Sequence, residues 1–141
     1  MAGVTECVFC RIIGRELPAK VVSSSPAAVA FLDVAPLAPG HLLVVPREHA
    51  RHLHELPAAG LSGLAAELPK LAAALLQVTG ADGYNLLQNN GAAAGQVVEH
   101  VHFHMIPRRP GDGLGFRWPA KQYRAGESEE ILERFKLALA G

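Results

Sequence analysis

Three histidines occupy alternate positions in the run His100-Val101-His102-Phe103-His104, inside an apolar, β-branched and aromatic stretch covering residues 97–106. That alternation reads as a β-strand with all three imidazoles on one face. Histidine alone changes charge near neutral pH without a perturbed pKa, so the row concentrates nucleophilic and acid–base capacity. A passive reading has the histidines lining the wet face of an antiparallel strand whose other face, Val101, Phe103 and Met105, is buried. A single metal held by all three is disfavoured, because same-face neighbours stand ~6.6 Å apart and the outer pair ~13 Å apart. Perfect alternation favours a division of labour in which one imidazole attacks and its neighbours orient it, bind charge or bind a metal.

Other residues could join such chemistry. Cys7 and Cys10 form a C-x-x-C pair, whose spacing alone does not choose among a disulfide, a redox pair and half a zinc site. Asp33 taken alone reads as a strand-end turn residue. The turn from Gly91 to Gly95 can point successive N–H groups at an anion, yet it lacks the Lys and Ser/Thr of a P-loop. His52 and His54 read as plain loop histidines, and the paired Arg108 and Arg109 as a solvated end of the strand.

The elements that must position these groups are legible from pattern. A short helical turn is expected over residues 9–14, and strands over 20–24, 27–33, 42–46, 84–89 and 98–107. Ser25-Pro26 marks a turn between the first two strands. Leucines 61, 64, 68, 71 and 75 keep a helical spacing through residues 58–78, with Pro69 expected to kink or divide the helix. Ser128, Glu129 and Glu130 look like the cap and first turn of a terminal helix. The expected class is α+β, with a mostly antiparallel five-stranded sheet, one long helix and one C-terminal helix.

The chain resembles the histidine triad (HIT) superfamily, and the match extends beyond the triad itself. Cys7-Val8-Phe9-Cys10-Arg11-Ile12-Ile13 with Pro18-Ala19 looks like its N-terminal block, and Ala30-Phe31-Leu32-Asp33-Val34-Ala35-Pro36 with Pro39-Gly40-His41-Leu42-Leu43-Val44-Val45-Pro46 its central one. Asn89-Asn90-Gly91 with Gly95-Gln96 precedes the triad, so the similarity spans about residues 6–110. The resemblance implies the family's fold, often as a homodimer. It also implies attack at nucleotide α-phosphates, with His102 as nucleophile and His104 and His41 at the phosphate or leaving group, where their protonated forms would offset developing charge. Asp33 matches the ribose-binding position, Asn89, Gly95 and Gln96 the phosphate contacts, and Val8, Phe9 and Ile12 the base pocket. The closest resemblance is to zinc-containing bacterial-type members, implying a structural zinc on Cys7, Cys10, His49 and His100. One departure stands out: Val97 follows the Gln where most hydrolytic members have Ser or Thr. Leaving-group protonation then falls to His104 or His41, or the substrates carry better leaving groups.

Composition bounds the function. The 141 residues suit a single domain covering 1–141, with a C-terminal loop and helix over 111–141, and half of them are apolar. Thirteen basic and thirteen acidic side chains cancel, which argues against a nucleic-acid partner. No signal-type apolar segment starts the chain, and apolar stretches are broken by Pro, Gly or charge, so no membrane partner and a cytoplasmic location are expected. The favoured expectation is a phosphoramidase releasing an AMP-like purine nucleotide. Its alternatives are a dinucleoside polyphosphate hydrolase, or a nucleotide-binding scaffold with little catalysis. The segment Gly115-Phe116-Arg117-Trp118-Pro119 is expected to close over a base or to pack on a dimer partner.

Overall fold

A computed structural model describes residues 6–115 and 118–141. Phe116 and Arg117, and with them part of the expectation for the 115–119 loop, lie outside the described residues. The elements run α1 Val8–Ile13, β1 Val21–Ser24, β2 Ala28–Leu32, β3 Leu42–Pro46, α2 Ala58–Thr79, β4 Gly83–Gln88, β5 Phe103–Arg108 and α3 Glu127–Ala140. The five strands form one sheet in the order β1-β2-β3-β5-β4, and every neighbouring pair is antiparallel. This is the expected α+β class.

Strands β2 and β3 are covered on both sides, which accounts for their unbroken apolar sequences. On one face α2 lays Leu64, Leu71, Ala72 and Leu75 against Ala28, Ala30, Leu42, Val44 and Met105. On the other, Val29, Phe31, Leu43 and Val45 pack with Cys7 and Phe9 from the α1 region. Alternation along the strands therefore separates the face that packs on α2 from the face that packs on the α1 region. Although α2 is long and apolar enough to cross a membrane, its leucine stripe is turned onto the sheet.

Three expectations are corrected. The helix over 58–79 runs through Pro69 undivided; Ala65, whose carbonyl loses its i+4 donor, is exposed, so water can satisfy the orphaned group. The final strand begins at Phe103 rather than near residue 98, so His100 and His102 precede it. The terminal helix starts at Glu127 after Gly126, with no side-chain cap, and Ser128 lies inside its first turn.

Packing of α2 on the β1–β2 turn is tight at Gly63, where an added Cβ would lie 2.5 Å from the Ala27 Cβ. A Gly63→Ala change raises intrinsic helix propensity by about 1 kcal/mol. The clash is with a rigid methyl, and overpacking of that kind costs about 1–3 kcal/mol. We expect the clash to dominate: urea unfolding of Gly63→Ala should show a net loss of about 1 kcal/mol, and a gain would show that α2 slides freely.

Candidate functional site

The position of His104 follows from sheet register. In the β3–β5 ladder Leu43 faces His104, which puts the imidazole on the α1 face, beside the entry to β3. There, Asp33 N–H donates to the His41 carbonyl at 3.0 Å, extending the β2–β3 pairing by one step and setting Asp33 opposite His41. Asp33 does two jobs: Oδ1 accepts from Ala35 N–H at 2.9 Å, an Asx turn, while Oδ2 lies 3.6 Å from His41 Nε2. The turn role expected for this residue is present, and its second oxygen faces His41.

Upstream of β5 the chain leaves the ladder. Pro46, at the end of β3, has no N–H to offer, and its carbonyl accepts instead from His100 Nε2 at 2.9 Å. His102 Nδ1–H then donates to the His100 carbonyl at 2.7 Å. The three imidazoles thus do not share one strand face as the alternation predicts: His100 turns toward Cys7 and Cys10, whereas His102 and His104 stay together with ring centroids 5.0 Å apart. Phe9 wedges edge-on against both His100 and His102, at 5.8 and 5.1 Å, which ties α1 to the row.

Backbone groups settle the tautomers. The bond to the His100 carbonyl places the His102 proton on Nδ1 and leaves Nε2 as a bare lone pair. Leu37 N–H donates to His41 Nδ1 at 3.1 Å, so neutral His41 carries its proton on Nε2 and passes it as a hydrogen bond to His104 Nδ1 at 2.9 Å. His104 therefore keeps its own proton on Nε2. Burial pushes His102 below the ordinary histidine range, against the opposing pull of the His100 carbonyl and Asp33. Burial likewise lowers His41, opposed by Asp33, and burial with the neighbouring His102 and His41 brings His104 down to about 4. At rest His41 and His104 therefore form a neutral, hydrogen-bonded pair.

These groups border a cleft of about 590 Å³, lined by Val8, Phe9, Ile12, Asp33, Gly95, His102 and His104 among the predicted residues. That volume suits one nucleotide. His41, only 2% exposed, sits behind His104. Asn89 and Gln96 do not line the cleft. The Gln96 amide instead accepts from Gly91 N–H and donates to the Arg51 and Val98 carbonyls, so it holds the loop shut. The Gly95 and Gln96 N–H groups also bond within the turn, to Ala92 and Gly91, which corrects the expectation that they face an anion. Glycines at 91 and 95 are needed there because φ is +88° and +91°. Val97, 89% exposed, lines the rim and brings no hydroxyl. Sequence reasoning missed Leu37 and Pro46, which act through a backbone N–H that any residue but proline supplies and a carbonyl that any residue supplies. Val34 and Leu43 also line the cleft unanticipated.

Next to this cleft Cys7, Cys10, His49 and His100 each offer one ligand atom within 4.8 Å of the others, the four residues expected to share an ion. Cys7 Sγ to His100 Nδ1 is 3.4 Å, Cys10 Sγ to His49 Nδ1 3.4 Å, Cys10 Sγ to His100 Nδ1 3.6 Å and His49 Nδ1 to His100 Nδ1 3.1 Å. The edges of a tetrahedron with metal–sulfur and metal–nitrogen bonds of about 2.3 and 2.0 Å are about 3.3–3.8 Å, so the donor set fits a four-coordinate ion. The Pro46 carbonyl fixes the His100 tautomer that leaves Nδ1 bare toward the sulfurs. Burial, and after it Cys7, push the Cys10 thiol up to about 12, so a cation is what would hold it as a thiolate here.

The sequence matches the HIT domain family over residues 14–111. It is 38% identical over 145 aligned residues to adenosine 5'-monophosphoramidase HNT1 of Candida albicans, covering 99% of this chain and 95% of that protein. A crystal structure of SMU.412c from Streptococcus mutans UA159 superposes with a TM-score of 0.91 at 34% identity, covering 95% of this chain and 85% of that one. A zinc-bound histidine triad family protein from Mycobacterium smegmatis has a TM-score of 0.74 at 36% identity, covering 98% and 97%.

The neutral His41–His104 pair has a signature in stability. The unfolded chain protonates its histidines near 6.5, while folded His104 does so only near 4, so between these values the unfolded state holds more protons. Stability contributed by the neutral pair is complete above pH 6.5 and falls as pH drops from 6.5 to 4. Urea unfolding across this window should show a shallower pH slope for His104→Gln than for the parent; equal slopes would mean His104 is charged when folded.

Proposed function

The chain belongs to the HIT domain family, and from that premise we propose that it is a nucleotide hydrolase, cleaving the phosphorus–nitrogen bond of an adenosine 5'-phosphoramidate through a covalent His102 intermediate. The observation that carries this reading is the 2.7 Å bond from His102 Nδ1–H to the His100 carbonyl, which leaves a bare Nε2 on a buried imidazole bordering a nucleotide-sized cleft. Burial keeps that nitrogen unprotonated, and hence nucleophilic, at neutral pH.

In this reading Val8, Phe9 and Ile12 hold the base and Asp33 accepts from the ribose hydroxyls. An incoming anionic phosphate raises the proton affinity of the His41–His104 pair, which takes up one proton. His102 Nε2 attacks the α-phosphorus as the bond to the leaving nitrogen breaks, and that nitrogen receives the proton from His104 Nε2. Water then attacks the nucleotidyl-histidine, returns a proton to the pair, and releases the nucleoside monophosphate with His102 neutral again. His104 thereby does the work that a hydroxyl at position 97 would share. Among the described residues lining the cleft there is no Lys or Arg, which favours an amine leaving group over the charged tail of a dinucleoside polyphosphate.

We read the Cys7, Cys10, His49 and His100 cluster as a zinc site, supported by its donor set and by the zinc-bound Mycobacterium smegmatis relative. The metal there would be structural, because all four ligands come from the protein. These residues would brace α1 and the backbone carbonyl that orients His102. The exposed Tyr84 and Leu86 on edge strand β4 support a homodimer as the assembled form.

AMP release from adenosine 5'-phosphoramidate and from diadenosine tetraphosphate tests the reading. The parent should prefer the phosphoramidate, and His102→Ala should lose at least about 10³-fold in kcat/KM while still binding AMP. Binding without turnover in the parent would leave a scaffold role instead. Stripping zinc with a chelator should lower Tm by about 10 °C or more: saturation at about a thousand times Kd is worth about 4 kcal/mol, and a chain of this size moves by about 3 °C per kcal/mol. An unchanged Tm in protein shown by elemental analysis to have lost its zinc would sink the structural role.

A further inference from the structure

Five of the seven histidines belong to the two centres described above; the other two, His52 and His54, meet on the surface. They flank Leu53 at the start of the 3-10 turn Leu53–Glu55, whose tight winding brings Glu55 back toward His52. The two imidazoles stack with planes 1° apart and centroids 5.5 Å apart. His52 Nδ1 lies 2.5 Å from Glu55 Oε1, and one ligand atom from each of His52, His54 and Glu55 lies within 4.8 Å of the other two. We propose that His52, His54 and Glu55 form a second, exchangeable site for a divalent transition-metal ion, separate from the Cys7, Cys10, His49 and His100 cluster.

An ion pair between His52 and Glu55 explains their short contact but not a second imidazole held parallel beside it. Two imidazole nitrogens and one carboxylate make a mixed nitrogen and oxygen set, which selects Co²⁺, Ni²⁺, Cu²⁺ or Zn²⁺ over Mg²⁺ and Ca²⁺. Three protein ligands leave positions for water, the mark of an exchangeable rather than a closed site. The ligand atoms lie within 4.8 Å of one another, with His52 Nδ1 and Glu55 Oε1 only 2.5 Å apart, so at most a small gap separates them from one coordination shell. The side chains of His52 and Glu55 are 25% and 40% exposed, and His54 is exposed, so small χ rotations can close the gap.

The backbone beneath them is already fixed. Leu53 N–H donates to Asn90 Oδ1 at 2.7 Å, and the Arg51 carbonyl accepts from Gln96 Nε2 at 2.7 Å. Both sides of His52 are thereby anchored, and an ion would order only side chains, which reduces the entropy lost on binding. The same two bonds join this segment to the Gly91–Gly95 loop at the rim of the cleft. The metal would displace the proton shared between His52 and Glu55, so binding weakens as pH falls.

Cobalt(II) titration of the zinc-loaded protein, followed by calorimetry and absorption, tests the site without any reference to hydrolysis. One added equivalent should bind with weak d–d absorption and no sulfur-to-cobalt charge-transfer band. His54→Gln and Glu55→Gln, both at exposed positions and expected to keep the parent circular dichroism, should each weaken that binding at least about tenfold. Unchanged affinity in both variants would overturn the proposal, as would a sulfur charge-transfer band assigning the added cobalt to Cys7 and Cys10.

Discussion

The end of the β3–β5 ladder at Phe103 decides where the imidazoles of His100, His102 and His104 point. Three paired positions, Leu42 with Met105, Leu43 with His104 and Val44 with Phe103, hold β5 against the centre of the sheet. They fix His104 on the α1 face next to His41. Beyond them the backbone turns away, Val101 N–H bonding to the Ala50 carbonyl instead of to β3. A ladder continued to Pro46 would meet a residue without an N–H, so leaving the sheet there costs little pairing. What the departure frees is the His100 carbonyl, the acceptor that sets the His102 tautomer.

The site is built with little charge and much backbone. Leu37 N–H, the His100 carbonyl and the Pro46 carbonyl each bind one ring nitrogen of His41, His102 and His100, and together they give each imidazole one tautomer. Backbone groups are held by the fold and do not titrate, so they orient the rings without adding a charge that would shift them. Asp33 is the one carboxylate lining the cleft among the described residues, and its Oδ1 is tied into its own turn. Desolvation is accordingly the leading influence on His41, His102 and His104. The imidazoles of such a site are neutral at rest, the state in which a ring nitrogen keeps a free lone pair.

Much of the fold was legible. The strand expected over 42–46 is β3, Leu42–Pro46, and the helix expected over 58–78 is α2, Ala58–Thr79, because unbroken apolar runs and leucine spacing report burial directly. The errors are instructive. Alternation in 97–106 resembled a strand throughout, yet His100 and His102 alternate to serve two separate centres. Pro69 was expected to kink or divide the helix, which is not divided there; Ala65, whose carbonyl loses its partner, lies on the exposed side, a fact absent from any local pattern. Gln96 was expected at the ligand and instead holds its loop through three backbone partners.

By itself the sequence determined which side chains would be reactive and which segments would be buried. Imidazole, thiol and carboxylate chemistry is a property of residue type, and apolar spacing of two or three to four residues is dictated by backbone geometry. Only the tertiary structure decided which reactive groups work together. Cys7 and His100 are 93 residues apart in sequence, and His41 and His104 are 63 apart. Their meeting depends on strand register, on where a ladder ends and on which backbone carbonyl is left unpaired. Those quantities belong to pairs of segments rather than to any one of them, so no single stretch of sequence contains them.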